Sequence, residues 1–480
     1  MLRQETPMTE PASEFHVPVR RLAVLGVPAA FVGVLCALLL WGLSALAGVV
    51  ERLLWQSLPD GLGVARDTPL LVIGLLALAG LSTGLVIRYA PGHAGPDPAT
   101  TELVSAPLPL GALPGLAVAL VITLAGGVSL GPENPIMAIN AGLVVALGMR
   151  FVRGVNAPQW LLISTAGTIG AMFGTPLAAA LMFSELDPGD RRIPLWDRLF
   201  PALVSATTGA LFMTKVADLD MAIDLPDYTW HGIGDLAWVS LVALVAAALG
   251  IAGAYVFDPL HRLLHRIGNP VVLLTLAGAV LGVLGVVGGT VTLFKGLDQM
   301  RELPGMVATT SAAGFLGLAL VKLVAMLVAS ASGFRGGRIF PVVFVGAALG
   351  FAAHGFFPDL PVALAVAGAT AGIVVAVTRS GWMSIFLVVV VVPDLDILVP
   401  VLFATLVAWL LVTNRPELLA KPVEVGGPHE PADGAGVDGT RVPDDGDADD
   451  REGQREQPAD VREDGTQDAE LADPAGHHDR

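Results

Sequence analysis

Long apolar runs separated by short polar segments make up the first 415 residues of this chain. Many of the runs are long enough to cross about 30 Å of hydrocarbon as α-helices, whereas a stretch such as 380–392 is too short to do so alone. The runs begin near Leu22, Pro69, Leu110, Trp160, Leu199, Leu236, Pro270, Met306, Phe340, Pro361 and Ile397. This pattern predicts an all-α polytopic membrane protein.

Glycine and proline interrupt several of these runs where a spanning helix would lie in the middle of the bilayer. The clearest interruptions are LGPENPIM at 130–137, FGTPLA at 173–178 and RGGRIFPVV at 335–343. Non-helical backbone at membrane depth is tolerated only where protein buries it or water reaches it. We therefore expect these broken segments to line a cavity or pore.

A polar hinge divides the predicted membrane body into two halves. The halves carry similar interruptions, because the segments 131–135 and 337–341 both have the spacing G-x-x-x-P and a Gly-rich apolar stretch follows each. Two inverted halves with broken helices at matching positions are typical of transporters with a substrate site at the bilayer midplane; chance similarity in a Gly- and Ala-rich sequence is the alternative. The predicted organisation is an N-terminal segment 1–19, a first membrane half 20–216, the hinge 217–235, a second membrane half 236–415 and a tail 416–480.

Composition agrees with a lipid-embedded protein, since 54% of the residues are hydrophobic and only 15% are charged, against about a quarter in soluble domains. The net charge of −16 belongs mostly to the tail, where residues 422–480 carry 18 acidic and 5 basic side chains. With almost no bulky apolar residues, the tail is predicted to be disordered. Arg20 and Arg21 favour a cytoplasmic N-terminus, and we expect both termini to be cytoplasmic in a cell-membrane protein. The single cysteine, Cys36, is predicted to be a small core residue.

Glu133 is the residue that most clearly suggests a function. It is the one ionisable residue in the stretch 103–149, and a charge at membrane depth costs roughly 2.5–3.5 kcal/mol. Pro135 suits the first turn of a helix, which places Glu133 at a helix N-terminus whose free N–H groups favour a carboxylate or a permeating anion. Competition between the two predicts a gate that opens when Glu133 is protonated or displaced; a plain N-cap glutamate at an aqueous helix end is the alternative.

The second interruption is expected to complete the same site from the other half of the chain. The turn Gly337 to Pro341 would direct the backbone amides of Ile339 and Phe340 towards Glu133. An anion site made of opposed helix N-termini needs no buried lysine or arginine.

These segments together resemble the CLC family of chloride channels and transporters. The resemblance rests on GPENP at 131–135, STAGTIGAMFGTPLAAALMFSEL at 164–186 and SGFRGGRIFPVVFVGAALG at 332–350, and it covers roughly residues 20–415. It implies two inverted-topology halves, a homodimer with one pathway per subunit, and Glu133 as the gate. It also implies that the backbone binds the anion at Gly131, Asn134, Gly95, Asp97, Gly337, Ile339 and Phe340.

The sequence departs from the family pattern at three places. The family's G-S-G-I-P loop reads Ala94-Gly-Pro-Asp-Pro here, so that Gly95 replaces the serine that contacts the anion, and Leu418 stands where the family has a pore tyrosine. Exchangers of the family carry two successive glutamates after the FGTPLA segment, whereas this chain has Glu185 followed by Leu186. The missing second glutamate favours channel-like conduction of chloride or another small anion, with proton-coupled anion exchange as the alternative; Glu185 is then either an inner proton acceptor or an ordinary interfacial glutamate.

Two other classes of function are alternatives. A different secondary transporter could use Glu133 and Glu185 for protons with another substrate, and a membrane-embedded protease would need Ser82, in the G-x-S-x-G pattern at 80–84, to meet His354. Close helix packing is the favoured explanation of that pattern. His261 and His265 share a helical face but lack the acid of a metalloprotease motif, so we read them as part of an interfacial basic face. We expect no enzyme activity, cofactor, metal or nucleic-acid partner.

Overall fold

The computed structural model describes residues 17–185 and 192–421, and its regular structure is helical. Eight helices in these ranges are long and apolar enough to span a membrane. The helices of the first half are α1 (Val19–Arg52), α2 (Leu58–Leu62), α3 (Pro69–Tyr89), α4 (Leu113–Ala125), α5 (Glu133–Phe151), α6 (Ala157–Phe173), α7 (Pro176–Glu185) and α8 (Leu195–Lys215). Those of the second half are α9 (Ile233–Leu264), α10 (Pro270–Gly288), α11 (Leu297–Met300), α12 (Leu303–Met306), α13 (Ala312–Ala331), α14 (Ile339–Phe356), α15 (Val362–Thr378), α16 (Gly381–Val391) and α17 (Leu398–Val412).

The packing of the helices repeats between the two halves. In the first half α1, α6 and α8 pack against one another, and in the second half α9, α15 and α17 do the same. The short helices α7 and α16, which follow the Gly-rich helices α6 and α15, also contact each other. The prediction of an all-α membrane protein with two related halves is confirmed.

The boundaries differ from the sequence prediction at two places. The run expected near Met306 begins as a spanning helix only at Ala312, because the Ser311 side chain caps α13 by accepting a hydrogen bond from Gly314 N (3.1 Å). The first residues of the predicted tail also belong to the membrane body: Leu418 is buried and Ala420 N donates to Ala99 O (2.8 Å). The predictions for residues 1–16 and 422–480 lie outside the described residues.

Helices α3 and α10 pack through glycines on both sides of their contact. A Cβ on Gly80 would lie 2.0 Å from Leu274 O, and one on Gly278 would lie 2.2 Å from Leu76 O. Small residues at such positions let membrane helices approach until their backbones touch. The G-x-S-x-G pattern is therefore explained by close packing, and His354 places its Nδ1 2.7 Å from Leu360 O.

We expect Gly80→Leu to lower the free energy of unfolding by about 2–3 kcal/mol, because the new side chain has to force α3 and α10 apart. Gly74→Leu is the matched control on the same helix, since a Cβ there meets nothing within 4 Å, and its effect should stay within about 0.5 kcal/mol. Thermal denaturation of the two variants in detergent measures the difference. Equal melting temperatures would contradict this close contact.

Candidate functional site

The two Gly-to-Pro turns meet in the middle of the molecule. Gly131 N donates to Gly337 O at 2.9 Å, and Gly337 N donates to Gly131 O at 2.7 Å, as an isolated antiparallel bridge. Helix α5 begins two residues after Gly131 and α14 two residues after Gly337. The positive ends of two helices, one from each half, therefore converge on one point.

Glu133 is buried at this junction with none of its surface exposed. Its Oε1 accepts a hydrogen bond from Phe340 N at 2.7 Å, and its Oε2 has no partner among the described residues. The two turn glycines make room for the carboxylate: a Cβ would lie 2.3 Å from Oε2 at Gly131 and 1.9 Å from it at Gly337. The carboxylate of one half thus caps the N-terminus of α14 in the other half.

Two cavities are lined by residues next to Glu133 and to its hydrogen-bond partner. The first, which we name the Lys295 cavity, has a volume of about 300 Å³ and includes Pro132 and Phe340 in its lining. The second, the Glu185 cavity, has a volume of about 360 Å³ and includes Asn134 and Ile339. Pro132 and Asn134 precede and follow Glu133, and the peptide that joins Ile339 to Phe340 donates to its carboxylate, so this hydrogen bond lies between the linings of the two cavities.

Both cavities carry charges of each sign. Lys295 faces the first cavity together with Glu51 and Asp298. The charged residues that face the second cavity are Glu102, Glu185, Arg338, Arg379 and Glu417. Both cavities are thus polar enough to hold water and ions on either side of a buried carboxylate.

The structure brings most of the predicted anion-binding residues together but directs Asp97 elsewhere. Asn134, Ile339 and Leu418 line the Glu185 cavity, whereas Gly95 O accepts a hydrogen bond from Arg335 (2.7 Å). Asp97 places Oδ2 3.0 Å from His261 Nε2. Burial raises the pKa of Asp97, but hydrogen bonds from the two neighbouring histidines and the charge of Arg335 bring it below its usual range. The proposed anion contacts remain predictions.

Glu185 lies at the mouth of the Glu185 cavity and holds the start of α16. Its Oε2 accepts a hydrogen bond from the Ser380 hydroxyl (2.8 Å) and its Oε1 accepts one from Trp382 N (3.2 Å). Ser380 in turn caps α16 by accepting from Met383 N (3.1 Å). Both carboxylate oxygens of Glu185 therefore have a structural partner, as an interfacial cap would.

The described part of the membrane body holds buried basic residues, and their contacts are with backbone carbonyls and not with the carboxylate of Glu133. Lys322 is fully buried in α13, and its Nζ donates to the carbonyl oxygens of Thr292, Leu293 and Phe294 at 3.0, 2.9 and 2.6 Å. Arg335 is 5% exposed and also donates to backbone carbonyls. Irregular backbone leaves carbonyls without helical partners, and buried cations satisfy them here. Both residues lie in or beside an apolar run of the sequence. This position is the signal that could have identified them as buried.

Comparisons with known proteins place this chain among ion-transport proteins. The model of a family described as "Voltage gated chloride channel" matches residues 74–413. A protein of Salmonella newport (strain SL254) named "Putative ion-transport protein YfeO" is 47% identical over 406 residues, covering 85% of this chain and 98% of that protein. The protein of the same name from Escherichia coli O1:K1 / APEC is 46% identical over 415 residues, covering 86% of this chain and 99% of its own length.

Solved structures with the same fold include two antiporters. A CLC-type fluoride/proton antiporter superposes with a TM-score of 0.68 at 20% identity, covering 84% of this chain and 100% of that one. A slow cyanobacterial Cl⁻/H⁺ antiporter superposes with a TM-score of 0.69 at 16% identity, covering 82% of this chain and 95% of that one. Both likenesses show the fold, and the predicted architecture with two inverted halves is confirmed.

Proposed function

We propose, since this chain belongs to the voltage gated chloride channel family, that it passes chloride or a similar small anion across the cell membrane and that Glu133 is the gate. The observation that carries the proposal is the hydrogen bond from Phe340 N to Glu133 Oε1 between two cavities. A permeating anion would accept from the same N–H group at the same helix N-terminus. Occupation by the carboxylate closes the path, and its displacement or protonation opens it.

The environment of Glu185 supports conduction that is not coupled to protons. Both of its oxygens already accept hydrogen bonds that hold Ser380 and the start of α16. Taking up a proton would weaken these bonds, and the next residue in the chain, Leu186, offers no second acid. We therefore favour a channel-like pathway.

Proton-coupled anion exchange is the second candidate, and one observation favours it. Glu185 is exposed to the cavity that Asn134 and Ile339 line, next to Glu133. A proton could enter there and reach Glu133 through water. The antiporter function of the two solved structures makes this candidate worth testing directly.

Flux measurements in liposomes distinguish the two. Purified protein is tested with chloride, fluoride, nitrate and bromide, with and without a proton gradient, while internal pH and external anion are recorded together. Uncoupled conduction predicts that an anion gradient drives no uphill proton movement, and that Glu185→Gln changes anion flux less than about twofold. Glu102→Gln is the control, because Glu102 lines the same cavity. Uphill proton transport that Glu185→Gln abolishes would instead establish the exchanger.

We also propose that two chains associate as a homodimer in the cell membrane, each with its own pathway. The family supports this arrangement. Helices α8 and α17 expose large apolar side chains, including Leu211, Val399 and Leu406, which are suited to a second chain or to lipid.

A further inference from the structure

Three potential metal ligands from distant parts of the chain meet at the end of α9. Asp97 Oδ2 lies 3.0 Å from His261 Nε2 and 3.4 Å from His265 Nε2. Each of the three residues offers one ligand atom, and these atoms lie within 4.8 Å of one another. The two imidazole rings have their centroids 4.0 Å apart and their planes tilted by 31°. Asp97 therefore supplies the acid that is absent from the segment HRLLH, which carries the two histidines.

The backbone fixes the orientation of two of these ligands. Asp97 Oδ1 accepts a hydrogen bond from Ala99 N (2.9 Å), which leaves Oδ2 directed at the histidines. His265 Nδ1 lies 3.0 Å from the carbonyl oxygen of His261, so Nδ1 donates to that carbonyl, and a metal ion would replace the hydrogen that Nε2 shares with Asp97. A backbone carbonyl as the partner of the other ring nitrogen is typical of metal-binding histidines, because it sets the tautomer and the ring orientation.

The two distances from Asp97 to the histidines are compatible with a tetrahedral zinc site. With metal–ligand bonds of about 2.0–2.2 Å, the ligand atoms around a zinc ion lie roughly 3.3–3.5 Å apart, close to the 3.0 and 3.4 Å observed here. Two imidazoles and one carboxylate suit Zn²⁺ and similar transition metals better than Mg²⁺ or Ca²⁺, which prefer oxygen ligands. We propose that Asp97, His261 and His265 form a binding site for a divalent transition metal ion such as Zn²⁺.

The site is accessible from water. The side chains of His265 and Asp97 are 25% and 22% exposed, whereas that of His261 is 2% exposed. The two histidines lie at the C-terminal end of α9, where the chain turns at Gly268 before α10. A metal ion can therefore arrive from water.

A bound metal ion would stabilise the loop that contains Asp97. Asp97 lies two residues after Gly95, and the carbonyls of Ala94 and Gly95 accept hydrogen bonds from Arg335. Arg335 lies two residues before Gly337, the partner of Gly131 beside Glu133. The guanidinium is already directed at these carbonyls, so its donors do not compete with the histidines for Asp97.

Metal binding to the full-length protein tests this proposal without relying on transport. The protein is purified in detergent through a tag without histidines, treated with EDTA and titrated with ZnCl₂ in competition with a zinc-sensitive dye. We expect one zinc ion per chain, and binding at least about 100-fold weaker in His265→Ala and in His261→Gln. Co²⁺ should give the visible absorption of a tetrahedral site in the wild type and lose it in both variants.

Three controls make the result specific. His231→Ala removes the histidine of another pair, whose Nδ1 lies 3.5 Å from Asp235 Oδ2, and a double His477→Ala, His478→Ala variant removes the tail pair; both should bind like the wild type. Size-exclusion profiles confirm that the variants are folded. We expect His265→Ala to fold, because the His265 side chain is partly exposed. Absence of stoichiometric zinc binding, or its retention in folded His265→Ala, would overturn the site.

Discussion

Replacing Glu133 by alanine should raise anion flux through this protein about tenfold or more and remove most of its pH dependence. The carboxylate accepts a hydrogen bond from Phe340 N (2.7 Å) between the linings of the two cavities. A hydrogen bond to a charged group stabilises by about 1.5–3 kcal/mol, which corresponds to about a 10–150-fold advantage in occupying that position. Without the carboxylate, a permeating anion has no competitor for this N–H group.

Liposome efflux of chloride, measured between acidic and neutral pH, checks this expectation. Glu133→Gln keeps the side-chain length but cannot ionise, so it should also flatten the pH profile. Glu102→Gln removes an acid from the Glu185 cavity and should keep the wild-type dependence. Unchanged flux in Glu133→Ala would rule out the gate, and complete loss of transport in Glu133→Gln would favour a carrier that needs the proton.

Replacing Arg335 by leucine should destabilise the membrane body by about 3–5 kcal/mol, the cost typical of removing one partner from a buried charged network. The guanidinium donates to the carbonyl oxygens of Ala94 (2.8 Å), Gly95 (2.7 Å), His93 (3.1 Å) and Gly333 (3.1 Å). All four acceptors would lose a donor, and Asp97 would lose a nearby positive charge. We expect the melting temperature in detergent to fall by roughly 5–10 °C.

Two matched variants separate the causes of that loss. Arg335→Lys retains the charge but not the planar fork of donors, so its effect should lie between those of the wild type and leucine. Arg262→Leu removes an arginine whose side chain is 62% exposed and paired with Asp258 on the surface, and should cost less than about 1 kcal/mol. If the Arg335→Leu and Arg262→Leu variants have the same melting temperature, the loop at residues 93–95 does not depend on Arg335.

The parts of the site that sequence reasoning predicts well are those that local chemistry determines. A glutamate in an uncharged apolar stretch, next to glycine and proline, indicates a helix start with an unusual charge, and the structure places Glu133 there. The similar spacing around Gly337 predicts a second helix start. The two helix starts meet because the two halves pack together. The repeated interruption in the sequence already suggested this pairing.

The remaining parts depend on contacts between positions far apart in the chain. His261 and His265 share a helical face, but Asp97 joins them from 164 residues away, which no local spacing can show. Lys322 lies within an apolar run, and only the fold brings the carbonyls of residues 292–294 to its ammonium group. For the same reason the role of residues 416–421 as part of the body was missed, since their partners are Ala99 and Asp258.

The bridge between Gly131 and Gly337 consists of main-chain hydrogen bonds. It therefore depends on the backbone conformation and little on the identity of the adjacent side chains. The two halves therefore stay joined at the segments GPENP and GRIFP, although these have only the glycine and the proline in common. At the two glycines, by contrast, any β-carbon would collide with the carboxylate of Glu133. The same short turns thus combine positions that admit different side chains with positions that admit none.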